Sequence, residues 1–407
     1  MLLYALILGL AQLIPSGPKP TAESLETLAR SALKRVEQMR KQPLSRPLKM
    51  GVKSKPQIKK FISRRMNEEY GPAKIKAEGD LLRLQGLLPM GTNYSSLISG
   101  LLTEQVAGFY DHTRQELHIA DWLPNMIQGP VMAHEIFHAI QDQEWGAGKL
   151  IDSKRYSHDE VLAHAALLEG DATAVMVNYS QPPGASDITL SSMAVQMIAA
   201  SLPMQMSSPQ YPVMAAAPDY MKQSLIFPYQ QGFLFVAALR NSGMSWDRMR
   251  DVYREPPSST EQILHPKKYF PNRDLPSVVK LPSPLLTGYE TSWTGVAGEF
   301  HMRQLLLRHL PIGEAVAGAE GWDGDHTVVL SKGAKTVAVT LSTWDSTDDA
   351  ADFVERLKQR NEKATESKVT LRVHQQELNV AYAFSKDPKL AELAMDRALS
   401  TGKVERR

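Results

Sequence analysis

Apolar positions along this chain follow two periods. From Val131 to Ile140, Met132, Ile136 and Ile140 recur every four residues with Ala133 and Phe137 beside them, the stripe of a helix with one buried face. Gly129-Pro130 supplies the expected start, since proline at the first helical position gives up an N–H that has no partner there anyway. A second helix is predicted after Ser157: Val161, Ala165, Leu168 and Ala172 share a face, and Ser157 with Glu160 reads as a capping box. The period shortens upstream. Gly108-Phe109-Tyr110-Asp111 and Glu116-Leu117-His118-Ile119-Ala120 flank a polar turn, which predicts a β-hairpin. His118 alternates with Leu117 and Ile119, so it belongs to the opposite face, where it either lines a cleft or is an ordinary strand residue.

The remaining pattern is mainly helical. Residues 18–103 read as a basic helical region broken at Pro43 and Pro47, and residues 181–255 as helices after a Pro/Gly loop. Residues 256–284 are dense in proline and read as an extended wrapping segment, and residues 289–310 as one more helix. Past Pro311, strands are predicted at 327–330, 336–341, 369–373 and 381–384, with helices at 347–359 and 388–399. The expected class is α+β, mainly helical, with a catalytic domain at 104–310 and a small C-terminal α+β domain at 311–407. Trp322, Asp323, Asp325 and Trp344 mark a ligand site there or aromatics packed between lobes.

Chemistry enters with His134-Glu135-Ile136-Phe137-His138. Residues four apart on a helix lie about 40° apart in projection, one turn up the same face. Two imidazoles so placed close on one Zn²⁺ at about 2.0–2.1 Å each, while Glu135 sits beside the metal as a general base. An HExxH string arises by chance in roughly one chain of this length in fifty to a hundred at ordinary residue usage, so the helical context decides. The competing reading is a pair of core histidines bonded to carbonyls. A catalytic zinc needs a third protein ligand. The continuation HExxHxxGxxH fails, because Gln141 and Glu144 stand where Gly and His are required. Glu169 lies between Leu168 and Gly170 in a segment too apolar for a solvated carboxylate, which wants a cation. Glu169 is therefore assigned as third ligand, with His164, Glu160 and Asp159 as rivals. Gly170 next to it allows a backbone or the metal to come close.

These residues carry a resemblance. His134–His138 with Ala139-Ile140-Gln141-Asp142-Gln143, followed by Leu168-Glu169-Gly170-Asp171-Ala172-Thr173, resembles the glutamate-zincin (gluzincin) zinc metallopeptidases, and more narrowly a group of bacterial HExxHAxQDQ…EGDAT proteins. Glu104–Asp111, Tyr229–Phe233, Ser259–Pro266 and Gly321–Asp325 are similar to that group too. The resemblance implies a zincin-like core with an edge strand ahead of the HExxH helix, and a thermolysin-like site: His134, His138 and Glu169 on zinc, Glu135 as base. Gluzincins place an Asp four residues after the ligand Glu to hold a zinc histidine. Thr173 stands there, so Asp171 or Asp142 is expected to take that role. His265, Tyr229 and, further out, Tyr269 are candidates to stabilise the oxyanion. The competing reading of His265 is a turn cap before Pro266.

Composition adds bounds. Of 407 residues 43 % are hydrophobic and 22 % charged, an ordinary globular balance, and the net charge of +2 gives no reason to expect a nucleic-acid partner. Cysteine is absent, which removes disulfides and thiolate metal ligands. Residues 2–14 form an apolar run short of a membrane span, followed by Pro15-Ser16-Gly17-Pro18. Residues 1–17 therefore read as a signal peptide lacking a basic lead, or as an anchor, and the protein as exported. Arg30, Lys34, Arg35, Arg40 and Lys41 offer peripheral contact with anionic lipid or form a solvated helix face. The expected activity is zinc-dependent cleavage of peptide or protein substrates. The rival is a zinc-stabilised envelope scaffold, which a fourth protein ligand such as His164 or Glu144 would mark.

Overall fold

The computed structural model describes residues 22–106, 108–122, 125–206, 211–364 and 368–407. The signal-peptide or anchor expectation for residues 1–17 lies outside them. The fold is α+β, with 57 % helix and 17 % strand.

Helix α1 (Ala22–Arg40) leads to strand β1 (Lys49–Lys53), then α2 (Lys55–Glu69), α3 (Gly71–Leu84) and α4 (Tyr94–Gln105). The hairpin β2 (Gly108–Asp111) and β3 (Glu116–Ala120) precedes α5 (Asn125–Trp145), a short α6 (Ala147–Leu150) and α7 (His158–Tyr179). Next come α8 (Ser192–Met206), α9 (Pro212–Ala216), α10 (Asp219–Asn241), α11 (Met249–Arg254) and α12 (Thr260–Leu264). The chain ends with β4 (Val278–Lys280), β5 (Glu290–Gly295), α13 (Gly298–Leu307), α14 (Ile312–Ala317), β6 (Trp322–Lys332), β7 (Lys335–Trp344), α15 (Thr347–Lys363), β8 (Thr370–Gln376), β9 (Asn379–Ser385), α16 (Pro388–Thr401) and β10 (Lys403–Glu405).

Two expectations about the first half need correction. Helix α5 starts at Asn125, so Pro130 lies inside it rather than at its first position, and the proline leaves the Met126 carbonyl without the amide that would normally bond it. The hairpin is part of a three-stranded sheet in the order β1-β3-β2, with β1 added parallel to β3. His118 on the central strand lines a groove beside α1 and β1, not the cleft that Glu135 and His138 line.

The basic N-terminal region is no separate unit. Ala29, Ala32 and Val36 of α1 pack into one core with Val131, Ala133 and Ile136 of α5. Helices α2 and α4 share another core with α10, and Leu81 and Leu84 of α3 join the core under the C-terminal sheet. That sheet has five antiparallel strands, β5-β6-β7-β9-β8. It takes in β5, so the helix expected over 289–310 is a strand followed by α13, and the unit starts ahead of the boundary expected at 311. Trp322 and Trp344 are fully buried in its core, and Asp325 accepts hydrogen bonds from the Ala297 and Gly298 amides and the Trp322 indole. These residues are packing groups, the second of the two readings offered for them. Among the described residues no helix is long and apolar enough to cross a membrane.

Candidate metal centre

Helices α5 and α7 carry the site, and both are buried nearly all round. Val131, Met132, Ile136 and Phe137 of α5 pack against Ala172 and Val175 of α7, with α1 on the far side. On α7 every residue from Val161 to Met176 is buried, Glu169 and Asp171 included. The predicted capping box is present: the Ser157 amide donates to Glu160 at 2.8 Å and the Glu160 amide to the Ser157 hydroxyl at 3.2 Å. Gly170 serves a backbone approach. A Cβ there would stand 2.1 Å from the Gly232 carbonyl carbon, and a Cβ on Gly232 would stand 2.0 Å from the Ala166 oxygen. Helices α7 and α10 cross on these two glycines, which fixes the neighbouring Glu169.

His134, His138 and Glu169 converge. His134 Nε2 lies 2.9 Å from His138 Nε2 and 3.0 Å from Glu169 Oε2, and His138 Nε2 lies 3.3 Å from the same oxygen. Donors held at 2.0–2.1 Å around a tetrahedral ion are roughly 3.3 Å apart, so the triangle has the size of one face of a zinc coordination sphere. The donor set, two imidazoles and a carboxylate, suits Zn²⁺. No fourth His, Cys, Asp or Glu joins the three among the described residues. His164 Nδ1 donates to the Leu150 carbonyl, and Glu144 accepts from Gln42. Glu160 is the helix cap, and Asp159 is bonded to Thr260. The three rivals for third ligand are thus engaged elsewhere.

Electrostatics favour positive charge at this point. Burial works against ionising Glu169, but the two imidazoles outweigh it and keep its pKa below the ordinary value. Burial likewise opposes a charged His138, yet the Glu169 carboxylate beside it raises the imidazole to about 9. Burial lowers the pKa of the enclosed His134. A divalent ion bound here displaces the proton held between His138 and Glu169. Glu135 is 1 % exposed, and burial pushes its carboxyl up to about 8.

The site opens into a cleft with apolar walls, Ile58, Phe61 and Ile62 of α2 on one side and Ala165 and Leu168 of α7 on the other. His138, Glu135 and Glu169 line it together with Phe109 to His112. Strand β2 is the edge of its sheet, and the Tyr110 amide on its outer side donates to Glu135. Phe61 stacks on Phe109 with ring centroids 4.4 Å apart, so α2 roofs this part of the cleft.

The expected supporting residues fare unevenly. Tyr229 is buried beside His134, ring centroids 6.3 Å apart, but it is not a cleft wall. His265 is a correction. It caps α12 and its Nε2 meets Glu299 at 3.0 Å and Arg303 at 3.0 Å, remote in bonding from the HExxH helix. Its position before Pro266 made it a cap, the reading weighed against catalysis. Tyr269 donates to the Glu255 carbonyl and is absent from the cleft walls. Asp142 takes no zinc histidine. It accepts from the Tyr110 hydroxyl and the Gly148 amide and lines the cleft. Asp171 stands further back, paired with Arg40 and Tyr253. The group that holds His138 is Gln141, whose Oε1 lies 2.6 Å from His138 Nδ1. Sequence reasoning passed over it, although its i, i+3 spacing from His138 places both on one face. Thr173 is buried, and neither its hydroxyl nor His134 Nδ1 has a hydrogen-bond partner among the described residues.

A second convergence of acids exists. Glu261, Asp274 and Asp345 come together, but Lys268 Nζ stands among them at 2.6, 3.1 and 2.7 Å.

Residues 287–395 match a family described as a domain of unknown function, DUF8575. The match runs from just before β5 into α16, and the metal centre lies outside it. No curated protein matches the chain.

Proposed function

We propose that the chain is a zinc-dependent peptide hydrolase with a zincin-like core, its ion held by His134, His138 and Glu169. The observation that carries this reading is the 2.9–3.3 Å triangle of two inward-turned imidazoles and one carboxylate, opening on a cleft beside a buried glutamate. Bound there, zinc supplies a Lewis acid for a carbonyl oxygen and acidifies water.

Glu135 has the means to move the proton. One carboxylate oxygen is held by the Tyr110 amide, while Oε2 is buried with no partner. Its raised pKa makes it a stronger base than an exposed carboxylate, and the nearby ion brings that value down towards working pH. Glu135 takes a proton from the attacking water and returns it to the departing amine nitrogen. Strand β2, an edge with its outer side towards the cleft, suits a substrate bound as an added strand. The apolar walls Ile58, Phe61, Ile62 and Leu168 exclude bulk water and strengthen each electrostatic contact. The apolar run at residues 2–14 supports export as part of this reading, with the activity in the bacterial envelope or outside the cell.

Incubation of the zinc-loaded protein with a broad peptide library tests the reading. Cleavage is expected, with loss of roughly a thousandfold or more in Glu135→Gln, on the scale of general-base catalysis, while zinc stays bound. Cleavage by the Gln variant at the wild-type rate refutes the role of Glu135. A zinc-loaded wild type that cleaves no library member favours the scaffold alternative.

A further inference from the structure

The last turn of α1 is tied to the metal centre by one file of buried groups. Arg40 is 5 % exposed, and its guanidinium lies between the rings of Phe137 and Trp246, 4.3 and 4.2 Å from their centroids. It forms a two-pronged pair with Asp171, 131 residues away. Asp171 Oδ2 accepts from the Tyr253 hydroxyl at 2.7 Å, and that hydroxyl oxygen accepts from Gln141 Nε2 at 2.8 Å. Gln141 Oε1 faces His138 Nδ1 at 2.6 Å.

The direction of this file is fixed from its ionic end. A carboxylate paired with arginine only accepts, so the single phenolic proton of Tyr253 goes to Asp171. The Tyr253 oxygen must then accept, and Gln141 turns its amide nitrogen towards it. The Leu168 carbonyl, 2.9 Å from the same nitrogen, requires the same orientation. Gln141 is left with its carbonyl oxygen towards His138, so Nδ1 carries a hydrogen, and Nε2, once the proton it shares with Glu169 is displaced, has its lone pair free for the ion.

We propose that α1 is a positioning element of the metal centre: Arg40, acting through Asp171, Tyr253 and Gln141, holds His138 in the tautomer and orientation that bind the ion. Resting on the zinc reading above, this assigns the N-terminal helix a supporting role. Detaching it weakens metal binding instead of uncovering an inhibited site. Arg40 and Asp171 touch neither substrate nor metal; they act through other residues.

Zinc affinity, measured by competition with a chromogenic chelator on the full chain, tests the file. Tyr253→Phe keeps the Arg40–Asp171 pair and the stacking on Trp145, whose ring lies 4.3 Å away, and removes only the hydroxyl. Arg40→Lys keeps the charge and breaks the two-pronged contact. Each is expected to weaken zinc binding about tenfold or more, the scale of groups that orient a metal ligand. The double variant should bind no worse than the weaker single, because both cut one file. In zinc-loaded wild type the His138 Nδ1–H proton resonance should be far downfield and slow to exchange, and in Tyr253→Phe it should shift upfield and exchange faster. Variants that bind zinc as wild type does, losses that multiply in the double, or an unchanged Nδ1–H signal overturn the proposal and leave the zinc reading standing. A wild type that takes up no zinc overturns both.

Discussion

Among the described residues, two places bring three metal-capable side chains within reach of one another, and they differ in whether a cation already stands there. Around Lys268 the cation is already supplied by the chain: one ammonium with three donors meets Glu261, Asp274 and Asp345, one bond each. Burial raises the Glu261 carboxyl to about 8 despite that lysine, and against the burial of the lysine itself Glu261 and Asp345 raise its pKa in turn. Around Glu169 the cationic groups in contact, among the described residues, are the imidazoles of His134 and His138. Arg40, the guanidinium joined to this centre through Gln141, is committed to Asp171. Convergence of acids is therefore a poor guide by itself. The informative question is whether the fold provides its own cation or leaves a buried carboxylate with imidazoles that give up a proton to make room for one.

Exchanging the features of the two clusters should separate them. The largest effect is expected from Glu169→Ala, which should weaken zinc binding by roughly a thousandfold or more, a share of the full affinity of such sites. Glu261→Ala should leave it unchanged. Equilibrium dialysis with zinc compares the two, and equal losses would erase the distinction.

A pH effect comes next. In zinc-free protein Glu135 has its carboxyl raised from the ordinary 4.5 to about 8. The native state then holds a proton that the unfolded chain has released between those values. The stability gained from it is fully present below pH 4.5 and lost as pH rises through 8. Native His138, raised to about 9, adds a change of the same sign at higher pH. The zinc-free protein should lose a few kcal/mol between pH 5 and 8 from Glu135, and Glu135→Gln should flatten that slope. Denaturant titrations at both pH values measure it; identical slopes for the two proteins contradict the buried state of Glu135.

Lys268→Met should cost about 2 kcal/mol, the loss of a cation from a partly exposed acidic cluster. It should also make thermal stability rise with added Ca²⁺, a dependence that the lysine should suppress in wild type. A variant indifferent to Ca²⁺ would mean that the lysine is not the cation of that cluster. The smallest effect is expected at His265, where replacement by Ala should change peptide cleavage less than twofold. A drop of a hundredfold there would restore it to the reaction.

How much was readable in advance follows from sequence distance. The HExxH spacing is local, and so is the misfit of Glu169 between Leu168 and Gly170, so both were legible without tertiary knowledge. The glycine beside Glu169 signalled a close approach, and Gly232 proved to be what approaches. The support of His138 was not legible. Gln141 meets Tyr253 112 positions away, and Tyr253 meets Asp171 across 82; periodicity carries no information about such pairings. The parallel addition of β1 to β3 was hidden for the same reason: Met50 and Val52 alternate with Lys49, Gly51 and Lys53, but a five-residue run does not name its partner strand. His265 misled because a histidine ahead of proline looks the same in sequence whether it caps a turn or faces a substrate.

Zinc K-edge X-ray absorption on the purified, zinc-loaded protein tests the central claim most directly. The account predicts one zinc with two imidazole nitrogens and a carboxylate oxygen at about 2.0–2.1 Å, plus one oxygen from solvent. A sphere closed by four protein ligands, or a signal without imidazole scattering, contradicts it.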